Sequence, residues 1–365
     1  MDISKSIDFL LENAGDVIKY RLHKEILGDL SKTKEENLLE RVMATPYYKL
    51  LESYQKPNGY IGISMHALEK LKETPLQDGE AAARLISNYA IPKTVPLVQK
   101  FAEALVNDSI LEHEFSYNIP EIRRFQNRKI GTQSGFSLQL LIDTCLALMG
   151  FGDEYDIRQT VKISYSAFVS LLSIESLDEI IKCNPKKKSK YNYPYVEANT
   201  LLPCIYHLQI LSHTFHWRNA ETLKTLARAL NHQCKIMKDG NNIHTKIGST
   251  YYVPCRALVN PIKHFEPDRK DICYRRCLTD IVKIGIGKQV DVTKKSAENL
   301  MEQLKTDGIL RMKFTNSYEK QYYKRNCRYP TPYSEVGLEK DYKSDTQLWC
   351  DLTFWAVQFL HYYNA

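Results

Sequence analysis

The 365-residue sequence lacks the features that mark a membrane-spanning or exported protein. It has no run of about eighteen apolar residues, the length that a helix needs to cross a bilayer. Its N-terminal stretch carries acidic residues between short apolar pieces and has no signal-peptide core. We therefore expect a cytoplasmic protein with no membrane span.

Short catalytic motifs are also missing. The chain has no Gly-x-Ser-x-Gly, no glycine-rich phosphate loop before a helix and no His-Glu-x-x-His. These absences remove the usual signatures of serine hydrolases, phosphate-binding loops and zinc proteases. Any catalysis is then expected to be acid–base chemistry by side chains in a cavity. No motif identifies a cofactor, which stays unknown at this stage.

The cysteines do not form a metal-binding or disulfide framework. There are nine, an odd number, with no Cys-x-x-Cys pair, and most lie in apolar helical patterns, which predicts reduced, buried thiols. Cys204 with His207, and Asp351 beside Cys350, supply residue types that bind zinc. Because small buried thiols are common in apolar helix faces, we predict no metal.

Charge gives little indication of a macromolecular partner. The net charge of +7 comes from Lys and Arg spread along the chain, with one cluster at residues 186–190. A lysine cluster in a polar loop is usually a solvated surface, so we do not expect nucleic-acid binding. The 24 Tyr against 12 Phe suit either a ligand that is part apolar and part hydrogen-bonding, or a protein partner.

Helical hairpins dominate what the sequence does contain. Apolar residues recur at three- and four-residue steps in 201–211 and 220–230, and a short polar connection joins these stretches, which predicts two antiparallel helices. Asp78, Asp153 or Asp156, and Asp291 are expected to cap helices. The connections near Ile91, Phe151, Phe215 and Ile286 recur roughly every 60 to 70 residues, as in a repeat. Further helices are predicted at 7–13, 16–27, 35–51, 78–89, 95–106, 136–149, 153–172, 272–284, 292–304 and 346–363, with a β hairpin at 243–253.

Two stretches carry a family resemblance. Leu10-Leu11-Glu12-Asn13 with Val17-Ile18-Lys19-Tyr20-Arg21, followed by Gln55-Lys56-Pro57-Asn58-Gly59-Tyr60-Ile61-Gly62, resembles bacterial proteins of the terpene-cyclase and protein-prenyltransferase superfamily. Residues 138–172 look like its repeat unit. These repeats are similar to those of squalene cyclases and prenyltransferase β subunits, whose hairpins close into an α/α toroid. The resemblance implies an all-α fold: one α/α-toroid domain over residues 1–365, with about six helical hairpins around a central cavity.

The chain departs from that family at its chemical motifs. Gln55 and Gly59 match the cyclase repeat, but Ile61 stands where the repeat has Trp. The Asp-x-Asp-Asp acid motif and the Asp-Asp-x-x-Asp that holds Mg²⁺ and a diphosphate are both absent. The resemblance to this superfamily therefore leaves the reaction open.

The toroid predicts where a site would lie. Polar residues that open the first helix of each hairpin would converge on the centre, although helix capping explains Asp78, Glu80, Glu197 and Asn199 equally well. Charged residues inside apolar helices either pair or face a wet cavity. The candidate catalytic residues are Glu80, Glu197, His207 and Asp351. The candidate substrate-binding residues are Asp78, Tyr193, Tyr195, Asn199, Arg275, Arg276, Trp349 and Trp355.

Three functions remain open at this stage. The first is an enzyme that acts on a small, partly apolar molecule, isoprenoid-like or polyphenolic, in a central cavity. It predicts that Glu197, Arg276 and Asp351 share one closed pocket with a perturbed carboxylate. The second is a non-catalytic toroid that binds a ligand or a protein. The third is a carbohydrate-active α/α barrel, which needs two carboxylates about 5–10 Å apart across a groove.

Overall fold

The computed structural model describes residues 3–62, 65, 78–114, 138–183, 194–197, 199–240, 243–252, 258–267, 273–312, 337–339 and 344–365. Within these ranges the protein is mostly helical, as the sequence predicts. The α-helices are α1 (Ser4–Asn13), α2 (Asp16–Arg21), α3 (Lys32–Met43), α4 (Pro46–Tyr54), α5 (Gly79–Asn88), α6 (Pro96–Val106), α7 (Asp108–Glu114), α8 (Leu138–Leu148), α9 (Arg158–Val169), α10 (Ile205–Ser212), α11 (Ala220–Ile236), α12 (Cys273–Ile284), α13 (Asp291–Leu304) and α14 (Asp345–Asn364). None of these described helices is long and apolar enough to cross a membrane.

The N-terminal region differs from the prediction in two places. The helix predicted at 16–27 is α2 followed by a π-helical turn, Leu22–Leu27. The single helix predicted at 35–51 is two helices, α3 and α4, because Pro46 starts a new helix after Thr45. Proline has no N–H to donate to the preceding turn, and so it favours the first position of a helix.

The hairpin connections at Ile91, Phe151 and Ile286 share one backbone feature, a left-handed residue at the end of the first helix. Each follows a residue in the left-handed conformation, Ala90 at φ 51°, Gly150 at 86° and Gly285 at 92°. That conformation ends the first helix of the hairpin and turns the next apolar side chain into the core. Ala90 is the non-glycine member, and its Cβ makes this conformation less favourable there than in glycine.

The connection near Phe215 is built differently. Phe215 is 62% exposed, and α10 ends at His213 with φ −111°, outside the left-handed region. The helix that the sequence places at 201–211 starts later, at Ile205. The predicted aspartate caps are confirmed only at Asp78, which accepts from the Ala81 N–H at 2.7 Å. The helices α9 and α13 begin without a side-chain cap.

The first helices of successive hairpins pack on one another in chain order. The helix α5 contacts α8, α8 contacts α10, α10 contacts α12, and α12 contacts α14. The helix α14 also contacts α1 and α2. The end of α2 reaches back to α5, where the Arg21 Nη1 donates to the Asn88 carbonyl at 3.0 Å. We call α2, α5, α8, α10, α12 and α14 the inner helices.

A small sheet decorates this helical body. The strands β1 (Tyr195–Glu197), β2 (His244–Ile247) and β3 (Thr250–Tyr252) lie in the order β1-β2-β3, with β1 parallel to β2 and β2 antiparallel to β3. The predicted hairpin is therefore confirmed. The expectation that Glu197 opens a helix is wrong, because residues 195–197 pair with β2 as a strand.

Candidate functional site

A cavity of about 90 Å³ lies between the inner helices. It is lined from the last turns of α2, α5, α8 and α10, from most of α12 and from the middle of α14. In the described part of the chain its wall carries both charged and apolar side chains. The charged ones are Arg21, Arg84, Arg276, Lys283, Asp280 and Asp351, and the large apolar ones are Leu148, Leu338, Phe354 and Trp355.

The position of the cavity explains its cationic character. The C-terminal ends of α5, α8 and α10 meet around it, and a helix C-terminus carries partial negative charge. Cationic side chains are favoured next to such ends. The helix ends therefore stabilise arginine and lysine in a partly buried place, where a charged group would otherwise be unfavourable.

Arg84 is held by a hydrogen-bonded cluster between α5 and α10. Its Nε donates to the Glu80 Oε1 at 2.7 Å, and its Nη2 donates to the Gln209 Oε1 at 2.9 Å. The Tyr206 hydroxyl donates to the other carboxylate oxygen of Glu80 at 3.2 Å. Arg84 and Glu80 are 3% and 0% exposed, so this ion pair is buried and fixed in orientation.

Arg21 is held in a similar way on the opposite side. Its Nε and Nη2 donate to the two oxygens of Glu25 at 2.6 and 2.9 Å, and the Gln358 Nε2 donates to the Glu25 Oε2 at 2.6 Å. Burial by itself raises the pKa of Glu25, but Arg21, Lys283 and Gln358 together outweigh it and lower the pKa below its ordinary value. Glu25 is thus a stable carboxylate.

Asp280 has a different environment. The Ser212 Oγ donates to its Oδ1 at 2.7 Å. Its Oδ2 is buried and has no hydrogen-bond partner among the residues that the structure describes. Burial raises the pKa of Asp280 to about 6, and the hydrogen bond from Ser212 and the charges of Lys283, Arg276 and Arg84 only partly offset that effect. Asp280 can therefore gain or lose a proton near neutral pH.

His213 connects to the same serine. Its Nδ1 lies 2.8 Å from the Ser212 Oγ and 3.0 Å from the Gln209 carbonyl oxygen. Burial lowers the pKa of His213 to about 3, helped by the charges of Lys283 and Arg218, so the ring is neutral at pH 7. Since a carbonyl oxygen only accepts, we assign the proton to Nδ1. The Ser212 hydroxyl is then available to donate to Asp280.

Arg218 fixes the backbone beneath this group. Its guanidinium donates to the Leu211 and Ser212 carbonyls at 3.1 and 2.8 Å, at the end of α10, and to the Lys283 carbonyl at 3.1 Å, at the end of α12. These carbonyls have no partner within their own helices. Arg218 therefore holds the ends of the two helices that carry Ser212 and Asp280.

No protein-family model, curated protein or solved structure matches this chain. Among the described residues there is also no group of three or more His, Cys, Asp or Glu side chains that could hold a metal ion. Cys145, Cys204, Cys277 and Cys350 are buried, as the sequence predicts, and form no disulfide within the described residues.

The structure brings together three of the residues that the sequence nominates. Arg276, Asp351 and Trp355 all line the cavity. The Asp351 Oδ1 accepts from the Leu338 N–H at 3.0 Å, and the Trp355 indole donates to the Thr279 Oγ1 at 2.9 Å. Glu80 lies behind the wall, where it orients Arg84.

Other nominated residues lie away from the cavity because they serve local structure. Asp78 caps α5. His207 is buried at the start of α10, where its Nδ1 accepts from the Cys204 N–H at 3.1 Å. Arg275, next to Arg276 on α12, is buried and donates to the Met312 sulfur at 3.8 Å. Trp349 lies under Arg311, whose guanidinium is 4.9 Å from the ring centre.

The remaining nominated residues belong to the sheet region. The Glu197 side chain is 37% exposed and accepts from Lys182 at 3.1 Å, so it does not share a pocket with Arg276 and Asp351. Tyr195 packs on Tyr251 with ring centres 5.3 Å apart, and Asn199 is exposed. Tyr193 lies outside the described residues.

Sequence reasoning missed much of the cavity wall. It looked for polar residues at the starts of helices, whereas Arg84, Gln209 and Lys283 lie near the ends of theirs. One signal was present: Arg84 and Asp280 are charged residues within apolar helical patterns, as Arg276 and Asp351 are. The same rule that nominated the latter two applies to them.

Proposed function

We propose that the cavity binds a small, partly apolar molecule with an anionic group, and that Asp280 exchanges a proton with it. The observation that carries this proposal is the buried Asp280 carboxyl, which has one oxygen without a hydrogen-bond partner among the described residues and lies in the wall of a cavity with cationic side chains. An unsatisfied buried oxygen costs stability, and so it favours a functional role.

The proposed roles follow from the contacts. Arg84 and Arg276 would hold the anionic group, with Arg84 kept in orientation by Glu80 and Gln209. Trp355 and Phe354 would contact the apolar part of the molecule. Asp280 would act as the general acid or base, with Ser212 as its hydrogen-bond donor. Charged side chains in the wall suit a molecule with a charged group better than an uncharged isoprenoid chain.

We also propose the toroid arrangement and the superfamily relationship. The support is the order of contacts, since each inner helix packs on the next and Arg21 of α2 reaches Asn88 of α5. Such an order is what a ring of hairpins produces. The absence of disulfides among the described cysteines supports a cytoplasmic location, where cysteines stay reduced.

The experiment compares wild type with Asp280→Asn in a mixture of small metabolites, followed by mass spectrometry. If the proposal is right, wild type retains one compound and converts it to a product, and Asp280→Asn retains the compound without conversion. The exposed control Asp239→Asn should behave like wild type, since its carboxyl is 69% exposed and remote from the cavity lining.

Two results would change the conclusion. Retention of the same compound by both proteins without conversion would favour the non-catalytic ligand-binding function. If neither protein retains or converts any compound, the cavity is not a functional site and the proposal is wrong.

A further inference from the structure

Lys283 is a cavity residue to which the function proposed above gives no role. It lies in the last turn of α12, and its side chain lines the cavity. In the part of the chain that the structure describes, its ammonium group makes no hydrogen bond and no ion pair. It lies 5.7 Å from the centre of the Tyr362 ring, a contact that leaves its N–H groups available to a molecule in the cavity.

The surroundings of Lys283 favour the neutral amine more than water does. The side chain is partly buried. Burial lowers the pKa of Lys283 below its ordinary value, and the charge of Arg21 adds to this effect, whereas the charges of Glu25 and Asp280 offset only part of it. A neutral lysine amine is a nucleophile, and its usual partner in an enzyme is the carbonyl carbon of an aldehyde or ketone.

Asp280 is placed to move the protons that this chemistry requires. It lies three residues before Lys283 on α12, so the two side chains share one face of the helix, and both line the cavity. Its Oδ2 has no hydrogen-bond partner among the described residues, while Ser212 donates to the other oxygen. Such a carboxyl can donate a proton to a carbonyl oxygen and take one from a nitrogen.

We infer that the molecule bound in the cavity is a small aldehyde or ketone and that Lys283 forms an imine with it. The inference rests on the function proposed above, because Asp280 exchanges protons with that molecule. The neutral Lys283 nitrogen forms a bond to the carbonyl carbon, and the carbonyl oxygen takes the proton of the Asp280 carboxyl. The nitrogen then returns one proton to the Asp280 carboxylate. The new hydroxyl takes that proton and leaves as water, so the products are a protonated imine, the Asp280 carboxylate and one water molecule.

Reductive trapping tests for the imine, because sodium cyanoborohydride converts a reversible C=N bond into a stable amine. Pyruvate is the first probe, since it carries a ketone beside an anionic group and is small, as a cavity of about 90 Å³ requires. Acetaldehyde is the second probe and has a carbonyl without the anionic group. Each probe is incubated with the protein and the reductant at pH 7, and peptide mass spectrometry locates and counts the adducts.

The expected result is selective modification of Lys283. Pyruvate should modify it at least about tenfold faster than Lys305, which is 74% exposed and lies outside the cavity lining, since a positioned acid contributes a factor on the order of 10². Lactate has a hydroxyl in place of the ketone, so it should form no adduct, and in excess it should slow the reaction of pyruvate by occupying the same cavity.

Substitutions assign the nucleophile and the acid. Lys283→Arg keeps the positive charge but removes the primary amine, and it should lose the one fast adduct per chain. Asp280→Asn should form the adduct at Lys283 at least about tenfold more slowly. Lys305→Arg makes the matched change at the exposed site and should react like wild type at Lys283. Thermal melting confirms that each variant is folded before the rates are compared.

The outcomes separate this inference from the proposed function. If neither probe modifies Lys283 faster than Lys305 in wild type, the imine inference is wrong, and the metabolite experiment decides by itself whether the cavity has a function. Equal rates at Lys283 in Asp280→Asn and wild type would keep Lys283 as the nucleophile and overturn the proton transfers assigned to Asp280. Selectivity for Lys283 over Lys305 that is as high with acetaldehyde as with pyruvate would support the imine and contradict the anionic group of the proposed function.

Discussion

Glu25 and Asp280 are two carboxyls near the same lysine, Lys283, and their pKa values are shifted in opposite directions. The Glu25 side chain is 15% exposed, and Asp280 is buried. Lys283 lowers the pKa of both. Glu25 also accepts hydrogen bonds from the Arg21 Nε and Nη2 and from the Gln358 amide. Its pKa is below the ordinary value. Asp280 receives a serine hydroxyl, and burial raises its pKa to about 6. The same protein thus contains one carboxyl that stays ionised at neutral pH, Glu25, and one that can exchange a proton near neutral pH, Asp280.

The difference shows that one cation in direct contact, through its charge and its hydrogen bonds together, lowers the pKa of a carboxyl more effectively than several cations that do not hydrogen-bond to it. Asp280 has Lys283, Arg276 and Arg84 as electrostatic partners, yet none of these cations donates a hydrogen bond to it in the described part of the chain. A charge-assisted, two-point contact such as Arg21 with Glu25 compensates desolvation far better. A carboxyl that transfers protons needs the weaker compensation that Asp280 has, because a tightly paired carboxylate such as Glu25 stays ionised.

Removal of the Glu25 carboxylate from its pair with Arg21 should have the largest effect on stability. Glu25→Gln leaves the buried Arg21 without its carboxylate, and we expect a loss of about 3 kcal/mol in the free energy of unfolding at pH 7. Urea unfolding measures this value. Because the pKa of Glu25 is lowered on folding, its contribution is present above about pH 4.5 and is lost as the pH falls through the lowered pKa.

The control for this experiment is Glu302→Gln, at a side chain that is 71% exposed and paired with Lys305. It should change stability by less than about 0.5 kcal/mol. A Glu25→Gln protein as stable as the control would show that the Arg21 pair contributes nothing, and the contrast with Asp280 would be lost.

Asp280→Asn should act in the opposite direction. The pKa of Asp280 is raised on folding from 3.8 to about 6, so stability is highest when this group is protonated and decreases as the pH rises through that interval. A neutral amide avoids the loss, and we expect the variant to gain up to about 3 kcal/mol over wild type at pH 8. The two proteins should converge below about pH 4.

Thermal melting across pH 4 to 8 tests this prediction in wild type, Asp280→Asn and the exposed control Asp239→Asn. A variant less stable than wild type at pH 8 would mean that ionised Asp280 stabilises the fold. Asp280 would then belong with Glu25 as a fixed carboxylate.

Ser212→Ala should make the contrast sharper at a smaller energetic cost. It removes the hydroxyl that donates to the Asp280 Oδ1, and we expect a loss of about 1 kcal/mol in stability. The pKa of Asp280 should rise further, because the hydrogen bond from Ser212 lowers it. Carbon-13 NMR titration of the aspartate carboxyls measures that pKa, with the exposed serine variant Ser173→Ala as the control. An unchanged titration would exclude Ser212 as the partner that matters.

Lys283→Met should produce the smallest change and tests the shared partner. Because Lys283 lowers the pKa of both Glu25 and Asp280, its removal should raise both values in the same direction. The same NMR titration follows glutamate and aspartate carboxyls together. A rise in only one of them would show that Lys283 serves one carboxylate alone, and the two would no longer form a matched pair.

Much of the secondary structure could be predicted from local pattern. The break at Asn13-Ala14-Gly15, the turns after Ala90, Gly150 and Gly285, and the β hairpin all follow from residues close together in sequence. The prediction was wrong where the apolar periodicity did not decide the backbone structure. Pro46 divided one helix, and pairing of residues 195–197 with β2 turned a predicted helix start into a strand.

The site was less predictable, for a physical reason. Arg276, Asp351 and Trp355 could be nominated because charged or large aromatic residues in an apolar helix need an explanation. Whether such a residue pairs or reacts depends on partners that are distant in sequence. The Ser212 hydroxyl meets Asp280, and Gln358 meets Glu25, only after the helices pack.

The sequence by itself therefore determined the helices, their turns and the presence of charge within apolar faces, because these depend on contacts within a few residues along the chain. Only the tertiary structure decided that the cavity wall is formed by the later parts of several inner helices and the middle of α14, rather than by helix starts, and that Asp280 rather than Glu197 is the carboxyl with an available oxygen. Burial and hydrogen-bond partners set the chemistry of a carboxyl, and both are properties of the packed helices.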